Sequence, residues 1–199
     1  MAARVSGLVL AAGAGRRMGM PKALKTDPDG TSWLARSVEV LRDGGCDVVT
    51  VVLGACGGRA ADLVPGVPHL LCPDWHDGIG ASLAHGLRHL AAQADTDPHS
   101  EAVLVHLVDL PDVTAAVPRR LLTKGVTPAV MRRAVYAGVP GHPALIGRDH
   151  WAPLVAELAG DRGAGAYLRR HDAEEVECSD LATGADVDTP TGPTTDARG

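Results

Sequence analysis

A glycine-rich segment with a cluster of cations lies close to the start of the 199-residue chain. It reads LAAGAGRRMGMPK from Leu10 to Lys22. Small residues let the main chain approach a ligand closely, and glycines reach backbone angles that present several N–H groups side by side. The cations here are Arg16, Arg17, Lys22 and Lys25, in a chain whose formal net charge is −5. Backbone N–H groups beside this much positive charge predict a binding site for a chain of phosphates.

Two well-known phosphate loops do not fit this segment. A Walker A loop needs GxxxxGK followed by Ser or Thr, and no frame supplies it. A dinucleotide fingerprint, GxGxxG, matches Gly13 and Gly15 but meets Met18 where the third glycine belongs. The second predicted strand also ends in VLG, without the acidic residue that binds a ribose. NAD binding is therefore disfavoured, and a glycine-rich turn with solvated arginines is the alternative to a phosphate site.

Carboxylates stand at two later positions where they could hold a metal ion. Asp109 follows the predicted strand at residues 102–108, in the segment DLPDV. Asp186 and Asp188 alternate in DVDTP, which places both carboxylates on one side of an extended segment. Mg²⁺ prefers one or two such oxygens together with phosphate oxygens and water. Asp112 is better explained as a turn or helix-capping carboxylate.

Two further segments have the composition of ligand-binding loops. In HDGIGASL, Gly80 and Ser82 precede a predicted helix, whose N-terminus attracts anions. The alternative there is a loop with a serine N-cap. In GVPGHPAL, His142 stands between Gly141 and Pro143, which predicts an extended, loop-like geometry. That histidine could donate to a phosphate or a heterocycle, or point into solvent.

The elements that must position these residues alternate along the chain. Apolar runs predict strands at residues 5–11, 47–53, 69–72, 102–108, 129–136, 144–146 and 175–178. Helical spacing of apolar residues predicts helices at 32–41, 59–64, 82–92, 114–122, 151–158 and 165–170. This order predicts an α/β fold with a mostly parallel sheet, helices on both faces, and ligands beyond the carboxyl ends of the strands. We expect a single domain at residues 1–189 and a mobile C-terminal tail at 190–199.

Composition excludes several classes of protein. The chain is 45% hydrophobic but contains no Phe, so its core must be built from Val, Leu and Ala. Its acidic balance argues against nucleic-acid binding, and no apolar run is long enough to cross a membrane. Scattered cysteines and histidines predict reduced thiols in a cytoplasmic protein without a zinc site. We expect His106 to be a core histidine with satisfied hydrogen bonds, and Arg132 and Arg133 to lie on a solvated face.

Taken together, the motifs resemble those of the MobA-like nucleotidyltransferase family. LAAG, RMG and PK match its opening motif, DLPDV matches its D[MQ]PxV motif, and DVDTP matches its D[IV]DTP motif. GVPGHPAL and GDRGA are similar to the GxxGHPVL and GDKGAR segments of the molybdenum cofactor cytidylyltransferase (MocA-like) branch, with Arg162 where Lys is usual. After Pro190 the chain departs from the family, which normally continues with a short closing helix. The resemblance implies a three-layer α/β/α nucleotidyltransferase fold, Rossmann-like and of the GT-A type.

The resemblance also implies roles for individual residues. Nucleotide binding falls to Leu10, Ala11, Ala12, Gly13, Gly15, Arg16, Lys22 and Asp109. Arg16, Lys22 and Asp109 would act in catalysis, with Asp109 and Asp188 holding Mg²⁺. Acceptor binding would fall to Gly80, Ser82, Gly141 and His142.

The implied reaction is transfer of a nucleoside monophosphate to a phosphate-bearing acceptor with release of pyrophosphate. Ala12 and the GHP motif both favour CTP as donor and molybdopterin as acceptor, with a molybdoenzyme or its chaperone as a further partner. One alternative is transfer from GTP or another NTP to molybdopterin, a phospholactate-like acid or a sugar phosphate. A second alternative is a non-catalytic nucleotide-binding or cofactor-insertion protein on the same fold.

Overall fold

The computed structural model describes residues 3–94 and 100–187. The strands are β1 (Arg4–Ala11), β2 (Val48–Leu53), β3 (His69–Leu71), β4 (Ser100–Leu107), β5 (Met131–Tyr136), β6 (Val139–Gly147) and β7 (Glu174–Glu177). The helices are α1 (Trp33–Asp43), α2 (Gly57–Ala61), α3 (Ile79–Ala94), α4 (Ala116–Leu122), α5 (Trp151–Glu157) and α6 (Gly165–Arg170). Single turns of 3₁₀ helix lie at Lys22–Leu24, Trp75–Asp77 and Arg148–His150.

All these strands form one mixed sheet in the order β3-β2-β1-β4-β6-β5-β7. Strands β3, β2, β1 and β4 run parallel to one another, and β7 runs parallel to β5. Strand β6 runs antiparallel to both of its neighbours. The predicted mostly parallel sheet of an α/β/α fold is confirmed.

Apolar side chains on both faces of the sheet explain this architecture. Alternate residues of β1 point to opposite sides, so that Val5 and Val9 join one core cluster and Leu8 and Leu10 the other. Residues of α1, α2 and α4 cover the first face, and residues of α3, α5 and α6 cover the second. Strands that are buried on both faces have continuous runs of apolar residues, and these runs predicted the positions of the strands.

The sheet order places three chain segments at one edge. The carboxyl ends of β1, β2 and β4 meet there because these strands are parallel. Strand β6 begins at the same edge, since Val105 of β4 pairs with Ala144 and β6 runs in the opposite direction. The glycine-rich segment, Asp109 and the residues around His142 therefore approach one another.

The segment around His142 is extended, as predicted, but it belongs to a strand and not to a loop. Residues 139–147 form one strand, joined to β5 by a hairpin through Ala137 and Gly138, whose φ angles are 51° and 76°. Two central residues with positive φ match the twist of a two-residue hairpin. His142 is consequently a strand residue, two positions before Ala144, where the pairing of β6 with β4 ends. The predicted tail at 190–199 lies outside the described residues.

Polar residues in the core also depart from expectation. His106 is 1% exposed, and neither ring nitrogen has a hydrogen-bond partner among the residues that the structure describes. It is buried as predicted but not satisfied, and this burial lowers the pKa of the imidazole to about 3. Arg132 and Arg133 are buried rather than solvated, because each pairs with a glutamate of the edge strand β7, Glu174 and Glu175.

In the described ranges, no helix is long and apolar enough to span a membrane.

Candidate active site

The segment after β1 folds into a tight loop that depends on one glycine. Leu10, Ala11 and Ala12 are buried, whereas Gly13 is exposed. Gly15 has a φ of 61°, and a Cβ atom at this position would lie 1.8 Å from the carbonyl oxygen of Met20. Only glycine allows the loop to return on itself this closely.

The loop delivers a lysine to the end of the neighbouring strand. Lys22 begins the 3₁₀ turn that follows Pro21, and Ala23 anchors this turn in the core with 1% exposure. The Nζ atom of Lys22 lies 2.6 Å from Oδ2 of Asp109, and both side chains are more than four-fifths buried. Two residues separated by 87 positions in sequence thus form one charged pair at the carboxyl edge of the sheet.

A cavity of about 700 Å³ opens beside this pair, within the size range of small-molecule sites. Residues expected to bind the nucleotide form one side of it. They are Leu10, Ala11, Ala12, Gly13, Gly15, Arg16, Lys22 and Asp109. The remaining lining residues are Arg17, Met18, Ala23, Trp75, Gly78, Ile79, Ser82, Leu107, Val108, Asp161 and Asp186. The cavity combines cations, carboxylates and apolar wall, as a site for a nucleoside triphosphate would require.

One carboxylate oxygen of the cavity is suited to bind a divalent cation. The Oδ1 atom of Asp109 is buried and has no hydrogen-bond partner within the described parts of the chain. A buried carboxylate oxygen without a partner is costly, and a cation would satisfy it. Asp186 also lines the cavity, and the N–H of Val187 donates to the carbonyl oxygen of Asp109 at 3.1 Å. Asp188 lies outside the described residues, and the described ones form no group of three or more His, Cys, Asp or Glu suited to a metal.

Of the residues expected to bind the acceptor, Ser82 lines the cavity and Gly80 does not. The N–H of Gly80 donates to the carbonyl oxygen of Gly160 at 3.0 Å. A Cβ atom on Gly80 would lie 2.7 Å from the carbonyl oxygen of Arg162. Gly80 is therefore required for close packing of α3 against the loop at residues 159–162, and its N–H is engaged within the protein.

Gly141 and His142 stand outside the cavity lining formed by the described residues. The hydroxyl of Tyr136 donates to the His142 carbonyl oxygen at 2.7 Å and fixes the backbone there. Burial lowers the pKa of the His142 imidazole to about 4, while the nearby Asp109 carboxylate opposes this shift. His142 is thus a neutral imidazole close to Asp109 at neutral pH.

Asp112 has a structural role different from the predicted turn or cap. Its Oδ2 atom accepts hydrogen bonds from the N–H and the hydroxyl of Thr183, both at 2.6 Å. This carboxylate therefore fastens the segment before Asp186 to the loop that carries Asp109.

Two cavity residues, Trp75 and Asp161, carry no role in the sequence-based hypothesis. Trp75 lies in a 3₁₀ turn after β3, and Asp161 lies in the loop between α5 and α6. An aromatic residue just after the carboxyl end of a predicted parallel strand was the available signal for Trp75. Nothing in the sequence pattern indicates that residue 161 reaches the cavity.

Comparison with known proteins identifies relatives over most of the chain. Residues 7–176 match the family described as the MobA-like NTP transferase domain. Nicotine blue oxidoreductase of Paenarthrobacter nicotinovorans is 34% identical over 197 residues, covering 93% of this chain and 92% of its own length. A probable molybdenum cofactor guanylyltransferase of Bacillus cytotoxicus is 35% identical over 91 residues, covering 45% of each chain.

Solved structures also resemble the chain over most of its length. The crystal structure of Rv0371c from Mycobacterium tuberculosis H37Rv superimposes with a TM-score of 0.77 at 30% identity, covering 95% of this chain and 94% of its own. The complex of that protein with manganese gives a TM-score of 0.68 at 28% identity, covering 87% and 88%.

Proposed function

The chain belongs to the MobA-like NTP transferase family, and from this premise we propose that it transfers CMP from CTP to a phosphate-bearing acceptor, with molybdopterin as that acceptor. The contact between Lys22 and Asp109 in the wall of the nucleotide-sized cavity carries the proposal. It sets a phosphate-binding cation and a metal-binding carboxylate beside the glycine loop that would hold the triphosphate.

The residues of the loop bind and orient the triphosphate in this mechanism. Backbone N–H groups near Gly13 and Gly15 bind phosphate oxygens, and Arg16 and Lys22 balance the charge of the departing pyrophosphate. Mg²⁺, held by Asp109 and Asp188, would neutralise phosphate charge and polarise the α-phosphorus. The buried, unpartnered Oδ1 of Asp109 supports a cation at this position.

The acceptor phosphate supplies the nucleophile. Its oxygen forms a bond to the α-phosphorus while the bond between the α-phosphorus and the bridging oxygen of pyrophosphate breaks. A phosphate monoester is already largely ionised at neutral pH, so the protein needs no general base for this step. Such reactions depend on positioning and charge stabilisation more than on a covalent intermediate.

We place the acceptor on the side of Gly141 and His142. Strand β6 carries both residues to the edge where Asp109 lies, and the neutral His142 can donate one hydrogen bond to the acceptor. Ser82 instead lines the cavity that contains Arg16 and Lys22. We expect the product to be passed in the cytoplasm to a molybdoenzyme or its chaperone.

Two other functions are supported by particular relatives. The partial match to a probable molybdenum cofactor guanylyltransferase favours GTP as an alternative donor. The match to nicotine blue oxidoreductase over nearly the full length favours an oxidoreductase as the second candidate.

The deciding experiment measures pyrophosphate release with Mg²⁺, each of the four NTPs, and a panel of molybdopterin, a phospholactate-like acid and sugar phosphates. Oxidation of NADH and NADPH by nicotine blue is followed in parallel. We expect release with CTP and molybdopterin, and a loss of at least about 100-fold in Asp109→Asn. The exposed Asp62, which follows α2 and does not line the cavity, supplies the control Asp62→Asn.

Three results would redirect the assignment. Faster release with GTP than with CTP overturns the donor. A preference for another phosphorylated compound overturns the acceptor. Oxidation of NADH or NADPH by nicotine blue, without pyrophosphate release from any NTP, replaces the transferase by the oxidoreductase.

A further inference from the structure

The cavity has two ends of different chemistry. Arg16, Lys22 and Asp109 form a charged end at the glycine loop, whereas Trp75 and Ile79 form an apolar wall at the start of α3. Both apolar residues are partly buried against the core cluster beneath α3. A triphosphate suits the first end, and a flat heterocycle suits the second.

The apolar wall adjoins the start of the phosphate loop. A Cβ atom built on Gly54 would lie 2.4 Å from the carbonyl oxygen of Ala12 and 2.6 Å from the Cβ of Trp75. Trp75 and Ala12 therefore both lie against Gly54. A nucleotide whose phosphates lie along the loop has its base within reach of the indole.

A carboxylate stands at the same end of the cavity. A Cβ atom on Gly78 would lie 2.4 Å from Oδ1 of Asp161, so this carboxylate closely approaches the residue just before α3. The loop that carries it is fixed by two backbone hydrogen bonds, from Arg162 to Ala159 and from Gly80 to Gly160. The backbone, and not a side-chain partner, thus positions Asp161.

Asp161 is available to a ligand as a hydrogen-bond acceptor. Its side chain is exposed to the cavity and forms no hydrogen bond or ion pair with any residue in 3–94 or 100–187. An ionised carboxylate accepts hydrogen bonds and cannot donate them. It stabilises a base edge that carries an amino group and repels one that carries a carbonyl oxygen.

We propose that Trp75 and Asp161 form the base subsite, in which the indole stacks on the base and Asp161 selects a base with an exocyclic amino group. This inference rests on the proposed function and adds to it the residue that selects the donor. Cytosine and uracil test the proposal directly. Cytosine carries an amino group where uracil carries a carbonyl oxygen, and the two bases also differ at the adjacent ring nitrogen. Aspartate accepting from the cytosine amino group is a known mode of base recognition.

The test is calorimetric titration of CTP and UTP with Mg²⁺ and without acceptor, so that no turnover occurs. We expect the wild-type protein to bind CTP at least about tenfold more tightly than UTP, the factor expected for one charge-assisted hydrogen bond. In Asp161→Ala we expect this preference to fall to within about twofold, because CTP weakens and UTP does not. Asp62→Ala, which removes an exposed carboxylate at the end of α2, should retain the preference.

Trp75 is tested by its effect on both nucleotides. Trp75→Ala should weaken CTP and UTP by about the same factor, fivefold or more, without changing their ratio. Trp75→Phe retains an aromatic face and should recover most of the affinity. Thermal unfolding of each variant shows whether the fold persists, and Asp161→Ala decides the proposal if Trp75→Ala does not fold.

Each outcome separates this inference from the proposed function. A protein that binds CTP and UTP equally, or keeps its preference in Asp161→Ala, refutes the base subsite while leaving the transferase intact. Unchanged affinity for both nucleotides in a folded Trp75→Ala places the base elsewhere. Failure to bind any NTP at millimolar concentration overturns the proposed function itself.

Discussion

The glycine loop provides a graded test of the structure, because three of its glycines differ in what an alanine would meet. At Gly13 a Cβ atom would have no described atom within 4 Å, and φ is not positive. Gly19 also has open space, but its φ is 72°. Gly15 combines a φ of 61° with a Cβ position 1.8 Å from the Met20 carbonyl oxygen. The three alanine variants therefore separate side-chain bulk, backbone strain and steric overlap.

The magnitudes follow from these differences. Alanine in the left-handed region costs about 1–2 kcal/mol, which is the expected loss for Gly19→Ala. In Gly15→Ala the loop must also open to relieve the overlap, and it then loses the hydrogen bond from the Met18 N–H to the Gly15 carbonyl oxygen. One such bond contributes about 1 kcal/mol, so the total reaches about 2–3 kcal/mol. For a chain of this size that corresponds to a fall in Tm of about 4–12 °C.

Urea and thermal unfolding, together with CTP binding, give the readout. Gly15→Ala should lose both stability and nucleotide affinity, since the loop no longer closes. Gly19→Ala should lose about half as much stability. Gly13→Ala should be as stable as the wild-type protein or slightly more stable, because alanine restricts the unfolded chain. It should nevertheless bind CTP more weakly, because its methyl group enters the cavity. If Gly15→Ala is no less stable than Gly19→Ala, the described closure of the loop on residue 20 is wrong.

Further predictions concern charged and polar residues. Lys22→Met should remove the ion pair with Asp109 and reduce the rate of pyrophosphate release by about 100-fold or more. Lys22→Arg should recover part of the rate. Equal rates in the wild-type protein and both variants would contradict the role of Lys22 in catalysis. Asp112→Ala should lower the free energy of unfolding by about 1–3 kcal/mol in urea, because it removes two hydrogen bonds. Thr183→Val removes only the bond from the hydroxyl, so it should lower the free energy of unfolding by less, and the double mutant should be less than additive because both substitutions remove that bond. His106 has a folded-state pKa of about 3, against an ordinary value of 6.5. Below pH 6.5 the unfolded chain therefore binds a proton that the folded chain does not. The free energy of unfolding should decrease as the pH falls from about 6.5 towards 3. His106→Leu should remove that part of the pH dependence and stabilise the protein at pH 7; an unchanged slope between pH 7 and pH 4 would refute the assignment.

Local patterns made much of the fold predictable. The apolar runs of β1, β2 and β4 supply side chains to the core clusters on both faces of the sheet, so most of their apolar residues are buried, although Val48 at the start of β2 is 46% exposed. The helix boundaries were less predictable. Helix α4 begins at Ala116 instead of Thr114, because the carbonyl oxygen of Ala115 accepts the bond from Arg119 that is four residues long, whereas that of Thr114 accepts only the shorter bond from Val117.

Long-range contacts explain where prediction failed. Arg132 and Arg133 look like a solvated pair in sequence, yet the parallel pairing of β5 with β7 sets a glutamate opposite each of them. His142 looks like a loop residue between glycine and proline, yet β6 extends through it. Both outcomes depend on which strands become neighbours, and residues adjacent in sequence carry little information about that.

The amino-acid sequence by itself determined that a glycine-rich, cationic loop follows β1, that Asp109 stands at the end of a buried strand, and that the chain belongs to its family. These features depend on short-range spacing, which sets backbone conformation and local charge. Only the tertiary structure decided that Lys22 lies against Asp109, that Trp75 and Asp161 reach the same cavity, and that Gly80 is committed to packing. Such contacts join segments far apart in the chain, so they exist only once the order of strands in the sheet brings those segments together.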